Sequence, residues 1–318
     1  MIAVSLADNL LTAPLVAFVV ALIATLLRFE VRLPDALYPI LSTFLLLAIG
    51  IKGGKALADS SIDDLWGPLL AALALGIVTP LIAFAAMRTL GRFHVVDAAA
   101  LAAHYGSVSA VTFTVVLTTL DAREIGFEGY MAGLLAVLEI IGIVVALFLA
   151  RKSSDGSGWK SALGEVVRGR SIALLVAGLL IGAIVGAERL APTDPLFSGL
   201  FPGVLALFLI EMGVTAAERL RDIRSTGVRL VLLGIAIPLV NGVLGALAGK
   251  VAGLSTGGIA VMATLAASAS YIAAPAAVRI ALPKANPSLY VTASLGVTFP
   301  FNLTVGIPVY IAVAQAIS

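Results

Sequence analysis

Two short patches hold most of the chemistry open to this sequence: Gly106-Ser107-Val108-Ser109 and Ser268-Ala269-Ser270-Tyr271. Each interrupts a long apolar run near its middle, and the two Ser-x-Ser units stand 161 residues apart. Small residues of this kind break a helix. The start of the second half-helix then offers unpaired N–H groups and a partial positive charge, and serine hydroxyls add further donors. A pair of such ends can hold a small anion without a buried Arg or Lys, and neither patch contains one. The plainer alternative is that Ser and Gly here only allow helices to pack closely.

Other polar residues within apolar runs are Glu139, Glu211, Asn241, Asn302 with Thr298 before it, and His104. Polar groups are costly in lipid and so are candidates for function. A carboxylate, an amide carbonyl, hydroxyls and freed backbone carbonyls are hard oxygen ligands suited to an alkali cation, and Glu139 is assigned to that role from its position in mid-run. Asn241 and Glu211 read first as packing residues. Asp97 reads as a cap for the run that carries the first patch. Without cysteine, thiol nucleophiles, thiolate metal sites and disulfides are excluded, and two histidines argue against a histidine-built metal centre.

The elements that must position these residues are membrane helices. Apolar residues make up 60% of the 318 and charged residues 12%, with a mean hydropathy of +1.11, too little polar surface for a water-soluble particle. A soluble enzyme, a disordered chain and a nucleic-acid binder are excluded on this ground, and a net charge of +2 asks for no polyanionic partner. Breaks between apolar runs predict ten spans, roughly 10–27, 36–51, 66–87, 94–120, 129–149, 171–187, 194–216, 228–249, 256–282 and 287–316. The second ends at Lys52-Gly53-Gly54-Lys55. With both termini outside, fifteen basic residues fall in inward loops and five in outward segments, the bias expected of membrane proteins. Met1 to Asn9 carries one acid and no basic residue, so it is not read as a secretory leader.

The chain divides into 1–150, a polar linker at 151–170 and 171–318. The halves echo each other. Asp35-Ala36-Leu37-Tyr38 matches Asp194-Pro195-Leu196-Phe197, Pro80 matches Pro238, and Tyr130 and Tyr290 follow the two patches after 21 and 20 residues. Five spans per half make the second half inverted relative to the first, a plan common among secondary transporters. The fold class is thus an all-α integral membrane protein of ten spans, a five-plus-five inverted repeat with spans four and nine discontinuous.

The stretch from Asp97 to Phe113, with Leu47 to Gly54, Thr264 to Ala276 and Ser294 to Asn302, resembles the sodium-dependent bicarbonate transporters of the cyanobacterial SbtA type nearly end to end. That resemblance implies core and gate domains, a homotrimer and elevator-like alternating access. It implies bicarbonate at the crossing of spans four and nine, carried over to Gly106, Ser107, Ser109, Thr112, Ala269, Ser270 and Tyr271. It implies sodium at Thr264, Ser268, Thr298, Phe299 (through its carbonyl) and Asn302, to which Glu139 is added. It also implies a small trimeric PII-like regulator, against which the short central loop speaks. The function expected is sodium-coupled inward bicarbonate transport across the plasma (inner) membrane, with no catalysis. A sodium-coupled carrier of another small anion such as a monocarboxylate is the nearest alternative. A passive anion channel and an intramembrane hydrolase using His104 and Ser107 are more distant ones.

Overall fold

The computed structural model describes residues 12–150 and 159–318. Arg151, Lys152 and the first part of the predicted linker lie outside the described residues, as does the segment Met1 to Asn9. Among the described residues the chain is helical, with no strand. Helices α1 (Ala13–Leu26), α2 (Leu37–Ala58), α3 (Ile62–Thr89), α4 (Val95–Gly106), α5 (Ala110–Ala122) and α6 (Met131–Ala150) form the first half. The second contains α7 (Trp159–Val167), α8 (Arg170–Val185), the single turn α9 (Ala187–Leu190), α10 (Phe201–Thr226), α11 (Val228–Val251), α12 (Thr256–Ala267), α13 (Ala273–Ala281) and α14 (Pro287–Ile317). Eight of these stretches are long and apolar enough to cross a membrane, counting Val95–Ala122 through its break; Ala13–Leu26 and Thr256–Ala267 are shorter apolar helices. This is a multi-pass membrane protein.

Local chemistry sets the helix starts. Ser61 caps α3, its Oγ accepting from Asp64 N at 3.3 Å, with Asp63 and Asp64 against the positive end of the dipole. Ser255 caps α12 by accepting from Gly258 N at 3.2 Å, and its own amide donates to Glu128 Oε1 at 2.6 Å, tying this start to the loop before α6. Asn286 caps α14 and Pro287 fills its first turn. Asp97 does not cap α4: His94 holds the cap position without a side-chain bond, and Asp97 Oδ1 accepts from Asn286 N at 2.8 Å, joining α4 to the start of α14.

Helix α2 does not stop at Lys52 but continues to Ala58. Its glycines face those of α8. A methyl built on Gly50 would stand 2.8 Å from Gly178 Cα, and one built on Gly182 would stand 2.9 Å from Gly54 Cα. Backbone meets backbone along this seam, and only glycine allows it.

Four helices, α1, α2, α8 and α10, pack chiefly as the pairs α1–α10 and α2–α8, while α3, α4 and α6 pack together, as do α11, α12 and α14. The broken helices lie at the centre. In Val95–Ala122 the most apolar window is 89% buried, against 28% in Leu163–Val185, and every residue of α12 from Gly257 to Ala267 is buried.

Candidate functional site

Helix α4 ends at Gly106, and Ser107 follows in extended conformation (φ −92°, ψ 173°). Ser109 then starts α5. Its Oγ accepts from Thr112 N at 3.1 Å and Thr112 Oγ1 at 3.0 Å, and donates to Tyr271 Oη at 3.3 Å. The amides of Ala110 and Val111 in the first turn of α5 have no intrahelical acceptor. In the other half, α12 ends at Ala267 and Ser268 is extended (φ −81°, ψ 161°). Ala274 N donates to Ser270 Oγ at 3.3 Å, and Pro275 sits in the first turn of α13.

The two breaks are stitched to each other. Ser109 N donates to Ser268 Oγ at 2.9 Å, Ser270 N donates to the His104 carbonyl at 2.8 Å, and the Ser109–Tyr271 bond adds a third link. Ser268 Oγ in turn donates to Leu265 O at 2.9 Å. Buried backbone groups freed by one break are thus paired by the other.

Beside the crossing lies a narrow cleft of about 10 Å³, room for about one water, lined by Val108, Ser109, Ala110, Glu139, Ser171, Ser270, Tyr271 and Ile272. Of the seven residues expected at the anion, Ser109, Ser270 and Tyr271 face it, and Thr112 braces Ser109. Gly106, Ser107 and Ala269 do not line it. Gly106 packs closely: a methyl there would stand 2.5 Å from Pro80 Cβ and 3.0 Å from Gly142 O. Ser107 is buried, its hydroxyl without a partner among the described residues. Ala269 is buried in the cluster around α4. Of the wall residues that sequence reasoning missed, Val108, Ala110, Ser171 and Ile272, the polar one is Ser171 on α8; a serine opening an apolar span was the available signal.

The six cation candidates are split. Glu139 is 4% exposed and lines the cleft. The other five lie in and beside the α12 end and the two π-helical segments of α14, Thr292–Thr298 and Asn302–Gly306; such turns recur at functional sites. Thr298 Oγ1 donates to Gly234 O at 2.7 Å, so it accepts from Tyr105 Oη at 2.8 Å. Asn302 Nδ2 donates to Ala267 O at 2.9 Å, and its Oδ1 accepts from Tyr310 Oη at 2.9 Å. Thr264 Oγ1 bonds back to Ala260 O at 2.8 Å. The Phe299 ring lies edge-on to Tyr271 at 5.2 Å and to Phe18 at 5.4 Å.

The remaining polar residues are mostly engaged. Glu211 accepts from Leu33 N at 3.2 Å and pairs with Arg32 at 3.7 Å. His104 Nδ1 meets Ala100 O at 2.7 Å, and its ring stacks on Tyr290 at 4.6 Å. Asn241 is fully buried, with neither amide atom partnered among the described residues.

A larger cavity of about 370 Å³ opens between α2, α5, α6 and α10, with Lys52 and Asp121 on its walls. Lys52 Nζ sits 4.6 Å over the Phe201 ring. An apolar neck containing Leu45, Leu46, Val111 and Phe208 shares Ile49 with this cavity and Ala110 and Ile272 with the cleft.

Comparison with curated proteins gives no match. A family model does: that of the Na+-dependent bicarbonate transporter superfamily matches residues 14–315. Spanning both halves, both breaks and the cleft between them, that match shows that this membrane protein belongs to the Na+-dependent bicarbonate transporter superfamily.

Proposed function

We propose that the chain carries bicarbonate into the cell together with sodium, by alternating access of elevator type, and that the anion binds in the cleft where the two broken helices cross. The observation that carries this reading is the crossing itself. The first turn of α5 meets Ser109, Ser270 and Tyr271 at one small cleft, so backbone amides and hydroxyls converge with no Lys or Arg on its wall. A space this narrow, lined mostly by short side chains, favours a small planar oxyanion over a larger carboxylate and widens to admit it. The cavity beside Lys52 and the apolar neck supply the anion's route.

Glu139 on the wall of an anion cleft must be neutralised by a proton or a cation, because two like charges in a poorly solvated space repel strongly. Sodium at Glu139 removes that repulsion and makes anion binding depend on the cation. Linkage makes the help reciprocal. An anion entering against −100 mV works against about 2.3 kcal/mol, which one sodium cancels. A tenfold sodium gradient then supplies about 1.4 kcal/mol.

The same reading takes the chain as ten spans in a five-plus-five inverted repeat, with both termini outside the plasma membrane, residues 1–150 and 171–318 as the repeats and 151–170 as the cytoplasmic linker. The packing supports it. Span one pairs with span seven (α1–α10) and span two with span six (α2–α8), which is the exchange a two-fold relation demands. Those four helices form the gate and the rest the core. A homotrimer completes the proposed assembly.

Proteoliposome uptake of labelled bicarbonate tests the function. Uptake is expected to require sodium, to exceed equilibrium, and to fall in Ser109→Ala and Ser270→Ala. Equal uptake in potassium would overturn the coupling. Competition by acetate or pyruvate at bicarbonate's own concentration would move the substrate to a monocarboxylate.

A further inference from the structure

Asn241 is the residue that neither the helix packing nor the anion cleft explains. It is 0% exposed, and both Oδ1 and Nδ2 lack a hydrogen-bond partner among the described residues. A buried polar atom left unpaired costs about 1–3 kcal/mol, a cost that leucine, branched at the same carbon, would avoid. An amide in such a place calls for a ligand.

Its position can be read from the register of α11 against α12. A methyl on Gly249 would stand 3.2 Å from Ile259 Cα, and one on Gly245 would stand 2.8 Å from Ala263 Cα and 2.7 Å from Ala266 Cβ. As α11 is followed backward, its contact moves forward along α12. Asn241 lies one turn beyond Gly245 on the same face, which brings it level with the point where α12 breaks. The residue beside it, Gly242, lies against Tyr310: a methyl there would stand 2.8 Å from Tyr310 Cδ1. Tyr310 bonds Asn302 Oδ1, and Asn302 bonds Ala267 O.

That point of the chain is rich in free oxygen. Ser268 N turns to Leu265 O and Ser270 N to His104 O, so the Thr264 and Ala266 carbonyls lose the amides that an unbroken helix would supply. The negative end of the α12 dipole points the same way.

We propose that Asn241 Oδ1 is a sodium ligand, holding the ion against the carbonyl end of α12 beside Asn302 Oδ1. This position is separate from Glu139 and lies behind the second break. It rests on the sodium-coupled reading above and adds Asn241 to the ligands of the ion that the resemblance implies at Thr264, Ser268, Thr298 and Asn302. The donors are uncharged hard oxygens, which suit an alkali ion. A water carried by the ion accepts from Nδ2.

Thermal unfolding of the purified protein over a sodium series, with choline holding ionic strength constant, tests the site without transport. In the wild type the melting temperature rises with sodium. Asn241→Leu is expected to melt higher than wild type without sodium, because the orphan amide is gone, and to need about tenfold more sodium for half the shift. Asn241→Asp keeps the oxygen and is expected to hold its sodium midpoint within about threefold, which covers the case in which the leucine variant does not fold. An unchanged midpoint in Asn241→Leu, or a lost response in Asn241→Asp, overturns the site alone. A wild type indifferent to sodium overturns both the site and the coupling on which it rests, whereas Ser109→Ala with normal sodium stabilisation but no bicarbonate uptake leaves both standing.

Discussion

The two breaks use nearly the same residues and are held in different ways. The first, Ser107 to Ser109, is short and capped: Ser109 satisfies the start of α5 itself. It is anchored by apolar close approach, Gly106 against Pro80 and Gly142. The second, Ser268 to Ile272, is longer, and Ile272 gives no side-chain cap. It is anchored by a polar strut, Asn302 between Ala267 O and Tyr310. The lesson is that two kinks of like sequence need not share what supports them. On the proposed function, apolar support leaves the first break's donors for the anion, and polar support places oxygen at the second for the cation.

The largest expected effect tests the apolar support. Gly142→Val drives a side chain into the backbone of Gly106 and should cost about 3 kcal/mol or prevent folding, read from thermal unfolding and expression in detergent. Asn302→Ala tests the polar strut. It leaves the Ala267 carbonyl and the Tyr310 hydroxyl unpaired and should cost about 2 kcal/mol while raising the sodium requirement for uptake. If Gly142→Val were the milder of the two, the contrast between supports would be reversed. Ser109→Ala removes a cap and should cost about 1 kcal/mol, with a clear loss of bicarbonate uptake. Ser270→Ala removes only the weaker 3.3 Å bond to Ala274 N and should cost about 0.5 kcal/mol, again with reduced uptake. Equal stability losses for the two serines would mean that both breaks are capped alike.

Much of this was legible in the sequence because local composition decides it. Gly, Ser and Pro interrupting apolar runs located both breaks to within a residue or two, and loss of polarity located the helices. What the sequence could not show depended on distant partners. Lys52-Gly53-Gly54-Lys55 reads as the end of a span, yet α2 continues because α8 brings its own glycines to meet it. Asp97 reads as a cap, but its partner, the Asn286 amide, lies 189 residues away. Gly106 and Ser107 share a motif with Ser109 but not its cleft, since one step along an unwound segment turns a side chain to another side. Thr298 and Asn302 were legible as polar; that each is a crosslink required the positions of Tyr105 and Tyr310. The π-helical segments of α14 follow no local pattern.

The glycine seam between α2 and α8 has a mechanical consequence. Two rods whose main chains interlock, with no flexible side chains between them as lubricant, cannot slip past each other without parting. They behave as one stiff plank. Any sliding during transport must therefore fall where side chains meet side chains, along the faces α10 and α2 turn toward α14 and α6.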